Sequence, residues 1–162
     1  MCDALNTVYR DLTHSSLHPL GGNAFLSLEN SDEPYLAGVR FTAMPPLKRY
    51  RDMEQLSGGE KTMAALSLLF SIHSFKQAPF FVLDEIDVAL DSVNVKKIAN
   101  YIRQRSKEFQ CLVISHNINI YDHADLLIGV CSKHHVDDKG NSDVPAKHTS
   151  SILLTLDLAQ YS

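Results

Sequence analysis

The run Phe80-Phe81-Val82-Leu83, cut off by Asp84-Glu85, restricts most what this chain can become. Four consecutive apolar residues leave no polar face, so they fit a strand covered on both sides, as strands are in a parallel sheet. Two comparable runs follow, Cys111-Leu112-Val113-Ile114-Ser115 and Leu126-Leu127-Ile128-Gly129-Val130. Between the first two runs, Val95, Ile98, Ala99 and Ile102 share one helical face; Asp91 or Ser92 stands ready to cap that helix, which runs to about Arg105. A short helix around Ile120 to Ala124 separates the second run from the third. Strands alternating with helices predict an α/β fold built on a parallel sheet flanked by helices.

Upstream, a helix is predicted from about Gly59 to His73. Its Met63, Ala64, Ala65, Leu66, Leu68, Leu69, Phe70 and Ile72 make it apolar nearly all round, so it must be mostly buried. The first third reads differently. Leu5, Val8, Tyr9 and Leu12 give a short amphipathic helix, followed by short strands at Ala24–Leu28 and Val39–Thr42, the latter ended by Pro45-Pro46. Residues 132–150 read as a long polar loop. Ile152, Leu154, Leu156 and Leu158 then alternate with their neighbours as a final strand. There is no internal repeat.

With 162 residues, 44% of them hydrophobic, the chain can build a core without disulfides or metals. No apolar run approaches the ~18 residues of a membrane span. The opening Met1-Cys2-Asp3-Ala4-Leu5-Asn6 has neither the basic nor the apolar region of a secretory signal. A net charge of −4 argues against nucleic-acid binding by a basic surface alone. Lys48, Arg49 and Arg51, and separately Arg103, Arg105 and Lys107, form local basic clusters. Such clusters are usually solvated faces, with phosphate contact as the alternative. Cys2, Cys111 and Cys131 form neither a disulfide framework nor a zinc-binding spacing, which points to a reducing compartment, and Cys111 reads as a small buried hydrophobe. The adjacent His134-His135 pair reads as surface loop, with a metal role as the weaker alternative.

Three constellations carry chemistry. Ligands of open parallel sheets bind beyond the strands' carboxyl ends, where Asp84 and Glu85 fall. Carboxylates there, partly desolvated, are costly unless they serve a ligand. With Asp87 and Asp91 they place four acids in eight residues. One reading is a solvated helix N-terminus. The other is a magnesium–nucleotide site, in which one acid holds the metal and its neighbour polarises a water. Second, Leu56-Ser57-Gly58-Gly59-Glu60 combines a capping box with two glycines at a helix start. It is either a plain cap with a glycine turn or an anion site on free N–H groups. Third, His116 directly follows a strand, where it is either structural or placed to sense a ligand. No G-x-x-x-x-G-K-[ST] phosphate loop occurs.

In that order, Leu56-Ser57-Gly58-Gly59-Glu60, Leu83-Asp84-Glu85, Ala89-Leu90-Asp91 and Ser115-His116 resemble the signature motif, Walker B strand, D-loop and switch histidine of ABC-type ATPases. The stretch from Phe80 to Asp91 is similar to the C-terminal half of the head in the structural maintenance of chromosomes (SMC) family. Lys48–Met53, Ile72–Phe75, Ala78–Phe81, Asn30–Tyr35 and Leu156–Leu158 narrow the likeness to cohesin, its first SMC subunit type in particular. The likeness spans nearly the whole chain. It implies residues 1–16 as the end of a coiled-coil helix and 17–162 as the C-terminal half of an ATPase head whose phosphate loop lies in an N-terminal lobe.

By the same resemblance, ATP is sandwiched between two heads. Asp84 would help hold Mg2+, Glu85 would position the hydrolytic water, and His116, as the switch histidine, would be catalytic as well. Leu56, Ser57, Gly58, Gly59 and Glu60 would serve the γ-phosphate bound to the partner head, and Asp91 would cross the same interface. The implied partners are the N-terminal head lobe, the third SMC subunit of cohesin, the kleisin winged-helix domain and, through the complex, DNA, on chromosomes in the nucleus. Val88 departs from the smaller residue common at its position, and eukaryotic relatives often carry another residue in place of His116. A transporter's nucleotide-binding subunit shares the motif order but carries its phosphate loop in the same compact chain. An isolated lobe that binds partners without hydrolysis is the remaining alternative.

Overall fold

A computed structural model describes residues 2–132 and 151–158. The chain forms two compact units, residues 1–123 and 124–162. The loop expected over 133–150, with His134-His135, lies outside the described residues.

The first unit opens with helix α1 (Cys2–Thr13), whose Leu5, Val8, Tyr9 and Leu12 are all buried, as their spacing predicts. Strands β1 (Asn23–Leu28), β2 (Val39–Met44) and β3 (Arg51–Asp52) form a small antiparallel sheet in that order. Its register sets Ala24 opposite Ala43, both buried. Helix α2 (Gly58–Phe75) follows a single 3-10 turn at Met53–Gln55. Strand β4 (Phe80–Asp84), helix α3 (Ser92–Arg105) and strand β5 (Gln110–Ile114) make a β-α-β unit, and β4 and β5 pair in parallel from Phe80↔Gln110 to Asp84↔Ile114. The single turn α4 (Ile118–Tyr121) closes the unit.

Two larger clusters of buried side chains hold it together. Val8 and Leu12 of α1, Met63, Leu66 and Phe70 of α2, Leu83 of β4, and Ile98, Tyr101 and Ile102 of α3 form one. Leu5, Tyr9, Ala24, Ala43, Leu56 and Ala64 form the other, so α1 and α2 bridge both sheets. Helix α2 is buried along one face rather than nearly all round: Ile72 and Phe75 are exposed, whereas Ser67 and Ser71 are fully buried. Both serine hydroxyls donate to carbonyls one turn back, at Ala64 (2.7 Å) and Leu68 (2.8 Å), which removes the cost of burying them.

The parallel pair is covered on one face only. Leu83 is 3% exposed and Phe81, Cys111 and Val113 are half-buried, but Phe80, Val82, Leu112 and Ile114 are 53%, 56%, 42% and 52% exposed. This corrects the reading of β4 as buried on both sides: its second apolar face has no cover among the described residues of its unit. Cys111 is half-buried, and burial raises its thiol pKa.

The second unit contains β6 (Leu126–Ser132) and β7 (Ser151–Asp157), paired antiparallel from Leu126↔Asp157 to Ser132↔Ser151. The run at 126–130 is therefore a strand, as expected, but it forms a separate antiparallel ribbon. The parallel sheet among the described residues is the β4–β5 pair alone.

Candidate functional site

The ends of β4 and β5, the N-terminus of α2 and the turn before α3 carry the predicted site residues. Hydrogen bonding by β5 continues one residue past β4, where the Glu85 N–H donates to the Ile114 carbonyl at 2.9 Å. Glu85 then turns with φ 46°, in the left-handed region that a non-glycine residue enters at a cost of about 1–3 kcal/mol. His116 lies just past β5. Its Nε2 stands 3.7 Å from Glu85 Oε1, both side chains being open to solvent at 92% and 55% exposure. The parallel register thus brings together two residues 31 positions apart.

The turn carrying His116 is braced from below. The Ser115 hydroxyl accepts the Asn117 N–H (2.9 Å), Asn117 Oδ1 accepts the Asn119 N–H (3.0 Å), and the Tyr121 hydroxyl donates to the Ser115 carbonyl. The sequence reading did not single out Tyr121; its position one turn into α4 is the only signal it offered.

The acidic run divides by role. Only Asp91 serves a helix N-terminus: its Oδ1 accepts the Asn94 N–H at 2.8 Å and caps α3. Asp84 and Glu85 are exposed at the end of β4 rather than desolvated, which corrects that expectation. Asp87 Oδ1 is buried and has no hydrogen-bond partner among the described residues.

The capping box at α2 is complete. Ser57 N–H and Oγ–H both donate to Glu60 Oε2 at 2.9 Å, and the Glu60 N–H returns to Ser57 Oγ at 3.4 Å. Lys48 Nζ donates to Glu60 Oε1 at 2.6 Å, so both carboxylate oxygens are engaged. Partial burial works to raise the Glu60 pKa, but the hydrogen bonds from Lys48 and Ser57 and the Lys48 charge outweigh it and hold the carboxyl below its ordinary value. In the sequence Lys48 stands out only as part of a basic cluster. In the other cluster Arg105 is engaged as well, with Glu108 (3.3 Å) and the Tyr101 hydroxyl (3.3 Å).

Leu56 is 5% exposed and its side chain belongs to the core, so what it offers a ligand is backbone. Gly58 and Gly59 differ sharply. A Cβ on Gly59 would stand 3.2 Å from the Ala89 carbonyl oxygen, because the helix start lies against the stretch that ends at Asp91. A Cβ on Gly58 would meet nothing within 4 Å. The open approach at Gly58 and the helix's first turn suit a phosphate, and the Ser57 hydroxyl, now donating to Glu60, would have to turn from it to join them. No group of three or more His, Cys, Asp or Glu residues that could hold a metal exists among the described residues. One carboxylate, Asp84, fits a Mg2+ ion that keeps waters and takes its remaining ligands from phosphates.

The fold is that of a part of an SMC head domain. Residues 26–138 match the RecF/RecN/SMC N terminal domain model, and the chain belongs to this family. It is 58% identical over 129 residues to structural maintenance of chromosomes protein 1 of Schizosaccharomyces pombe, covering 79% of this chain and 10% of the relative. The Arabidopsis thaliana protein 1 is 53% identical over 139 residues, 78% of this chain and 11% of the relative. Protein 4 of Saccharomyces cerevisiae also matches, at 49% over 111 residues, 68% of this chain and 8% of the relative. The chain spans about a tenth of the length of these relatives.

Among solved structures, the Pyrococcus furiosus Smc head with an extended coiled coil, bound to the C-terminal domain of ScpA, superposes with a TM-score of 0.78 at 34% identity, over 99% of this chain and 35% of that one. An SMC ATPase solved in work on ATP-driven dimerization and DNA-stimulated activation superposes with a TM-score of 0.73 at 34% identity, over 98% of this chain and 87% of that one.

Proposed function

We propose that this chain is the C-terminal lobe of the ATPase head of a cohesin SMC subunit of the first type. In that role it completes an ATP site shared between two heads and works on chromosomes in the nucleus. The observation that carries the reading is the meeting of Glu85 and His116, 3.7 Å apart at the carboxyl ends of paired parallel strands, in a chain of this family. The bound Mg2+ would supply charge neutralisation for the transferred phosphate, with Asp84 as its ligand from this chain. Glu85, fixed in a left-handed turn and exposed, accepts a proton from or orients an attacking water. His116 reaches the same space and can donate a hydrogen bond to a phosphate oxygen.

Ser57, Gly58 and the first turn of α2 meet the γ-phosphate held by the partner head, the third SMC subunit, across an interface that Asp91 also borders. Leu56 and Glu60 hold that turn in shape: Leu56 anchors it in the core and Glu60 closes the cap. The exposed apolar face of β4 and β5 is the seat of the N-terminal lobe that carries the phosphate loop, and residues 1–16 then continue into the coiled coil. The binding of ScpA to a related head supports a kleisin winged-helix domain as a partner, with β7 and its neighbours as the candidate surface. DNA is met through the assembled complex.

The test is ATP turnover. The purified 162-residue chain should hydrolyse no ATP, and the full complex carrying Glu85→Gln should bind ATP and engage its heads without turning over. Hydrolysis by the isolated chain, or ordinary turnover by the variant complex, contradicts the assignment.

A further inference from the structure

The helix end that this reading assigns to a phosphate already holds a negative charge of its own, Glu60. Its carboxylate takes both Ser57 protons at Oε2 and faces Lys48 at 2.6 Å through Oε1. Lys48 reaches it from a separate part of the fold, the turn between β2 and β3. Within that turn the Lys48 N–H donates to the Pro45 carbonyl (3.0 Å), and Leu47 sits at φ 62°, a conformation such turns ordinarily give to glycine. On its other side the helix start is stopped by the Ala89 carbonyl, 3.2 Å from where a Gly59 Cβ would lie. The first turn of α2 is thus held between Lys48 and the segment leading to Asp91.

We infer that Lys48 is a positioning residue for the shared ATP site: it neutralises Glu60, so that a phosphate can approach the Ser57–Gly58 turn. This rests on the assignment of Ser57 and Gly58 as the phosphate-contacting turn. Without Lys48, Glu60 presents an uncompensated charge to the incoming anion. The pair is partly solvated, with side chains 52% and 22% exposed, so the effect is moderate.

The experiment uses the complete SMC complex and measures steady-state ATPase together with ATP-dependent head engagement by site-specific crosslinking. Lys48→Met should raise the ATP concentration needed for engagement and the KM by about two- to five-fold, with kcat much less affected. Lys48→Arg should restore the wild-type values. Lys48→Met combined with Glu60→Gln should recover most of the loss, because glutamine still closes a capping box but carries no charge. A purely structural role for Lys48 would make the double variant as poor as the single one or worse. That result, or wild-type ATP dependence in Lys48→Met, overturns the inference. Ser57→Arg, measured alongside, separates the two claims: continued engagement in that variant refutes the site assignment itself, whereas its failure combined with an unaffected Lys48→Met refutes only the role of Lys48.

Discussion

The two adjacent glycines of the α2 start respond oppositely to the same added methyl group. At Gly58 a Cβ meets no atom within 4 Å, and the residue is the first of the helix. Gly58→Ala therefore costs no packing and reduces the freedom of the unfolded chain, which stabilises by about 0.4–1 kcal/mol. At Gly59 the Cβ stands 3.2 Å from a backbone carbonyl oxygen, at Ala89. That segment is tied down by the Leu90 N–H on the Asp87 carbonyl and by the Asp91 cap, so relief of the contact must move backbone. Gly59→Ala should destabilise by about 1 kcal/mol or more. In thermal denaturation of the complete head, the first variant should melt about 1–4 °C higher and the second lower.

Function should not follow stability. The Gly58 methyl occupies the approach to the first-turn N–H groups, and a charge-assisted hydrogen bond lost there is worth about 1.5–3 kcal/mol. ATP-dependent head association by Gly58→Ala should therefore weaken by about ten- to a hundred-fold in a variant that is, if anything, more stable. A Gly58→Ala head that melts lower, or that associates within twofold of wild type, would refute the reasoning.

Ile98, fully buried in the larger core cluster, should cost about 2–5 kcal/mol on truncation to alanine, read from denaturant unfolding of the head. The pH dependence of stability has two identifiable edges. Tyr9 is pushed up to about 12, chiefly by burial and secondarily by the Glu60 charge. Its contribution is fully present below pH 10 and is lost between about 10 and 12, so Tyr9→Phe should flatten the alkaline limb. Glu60 titrates below its ordinary value; its contribution is present above that value and disappears as the pH falls through the lowered one, so Glu60→Gln should flatten part of the acid limb. The half-buried Cys111, its thiol pKa raised by burial, should be alkylated more slowly than the exposed Cys2, as mass spectrometry of a brief labelling would show.

Local signals in the sequence carried well into the structure, and long-range ones carried unevenly. Helix α1, the Ser57 cap of α2 and the Asp91 cap of α3 follow from spacing and capping chemistry, which act within a turn or two. The continuous run of β4 was read as a strand covered on both faces, yet Phe80 and Val82 are exposed. A continuous apolar run shows that a strand can be covered on both faces, not what covers it. The same reasoning misplaced the strand at Leu126–Val130, since periodicity identifies a strand but not its partner, here β7. The motif order marks Glu85 and His116 as catalytic candidates, but their meeting comes from the parallel register. Lys48 is hidden in the sequence because nothing local links it to Glu60, twelve residues on.

The central claim is that Glu85 acts on the water that attacks ATP in a site shared with a second head. Its most direct measurement is head engagement and phosphate release by the complete complex carrying Glu85→Gln, with ATP present. Stable ATP-bound, engaged heads are expected, with a loss of phosphate release of at least about a hundred-fold. Phosphate release at the wild-type rate, or heads that fail to engage at saturating ATP, would contradict it.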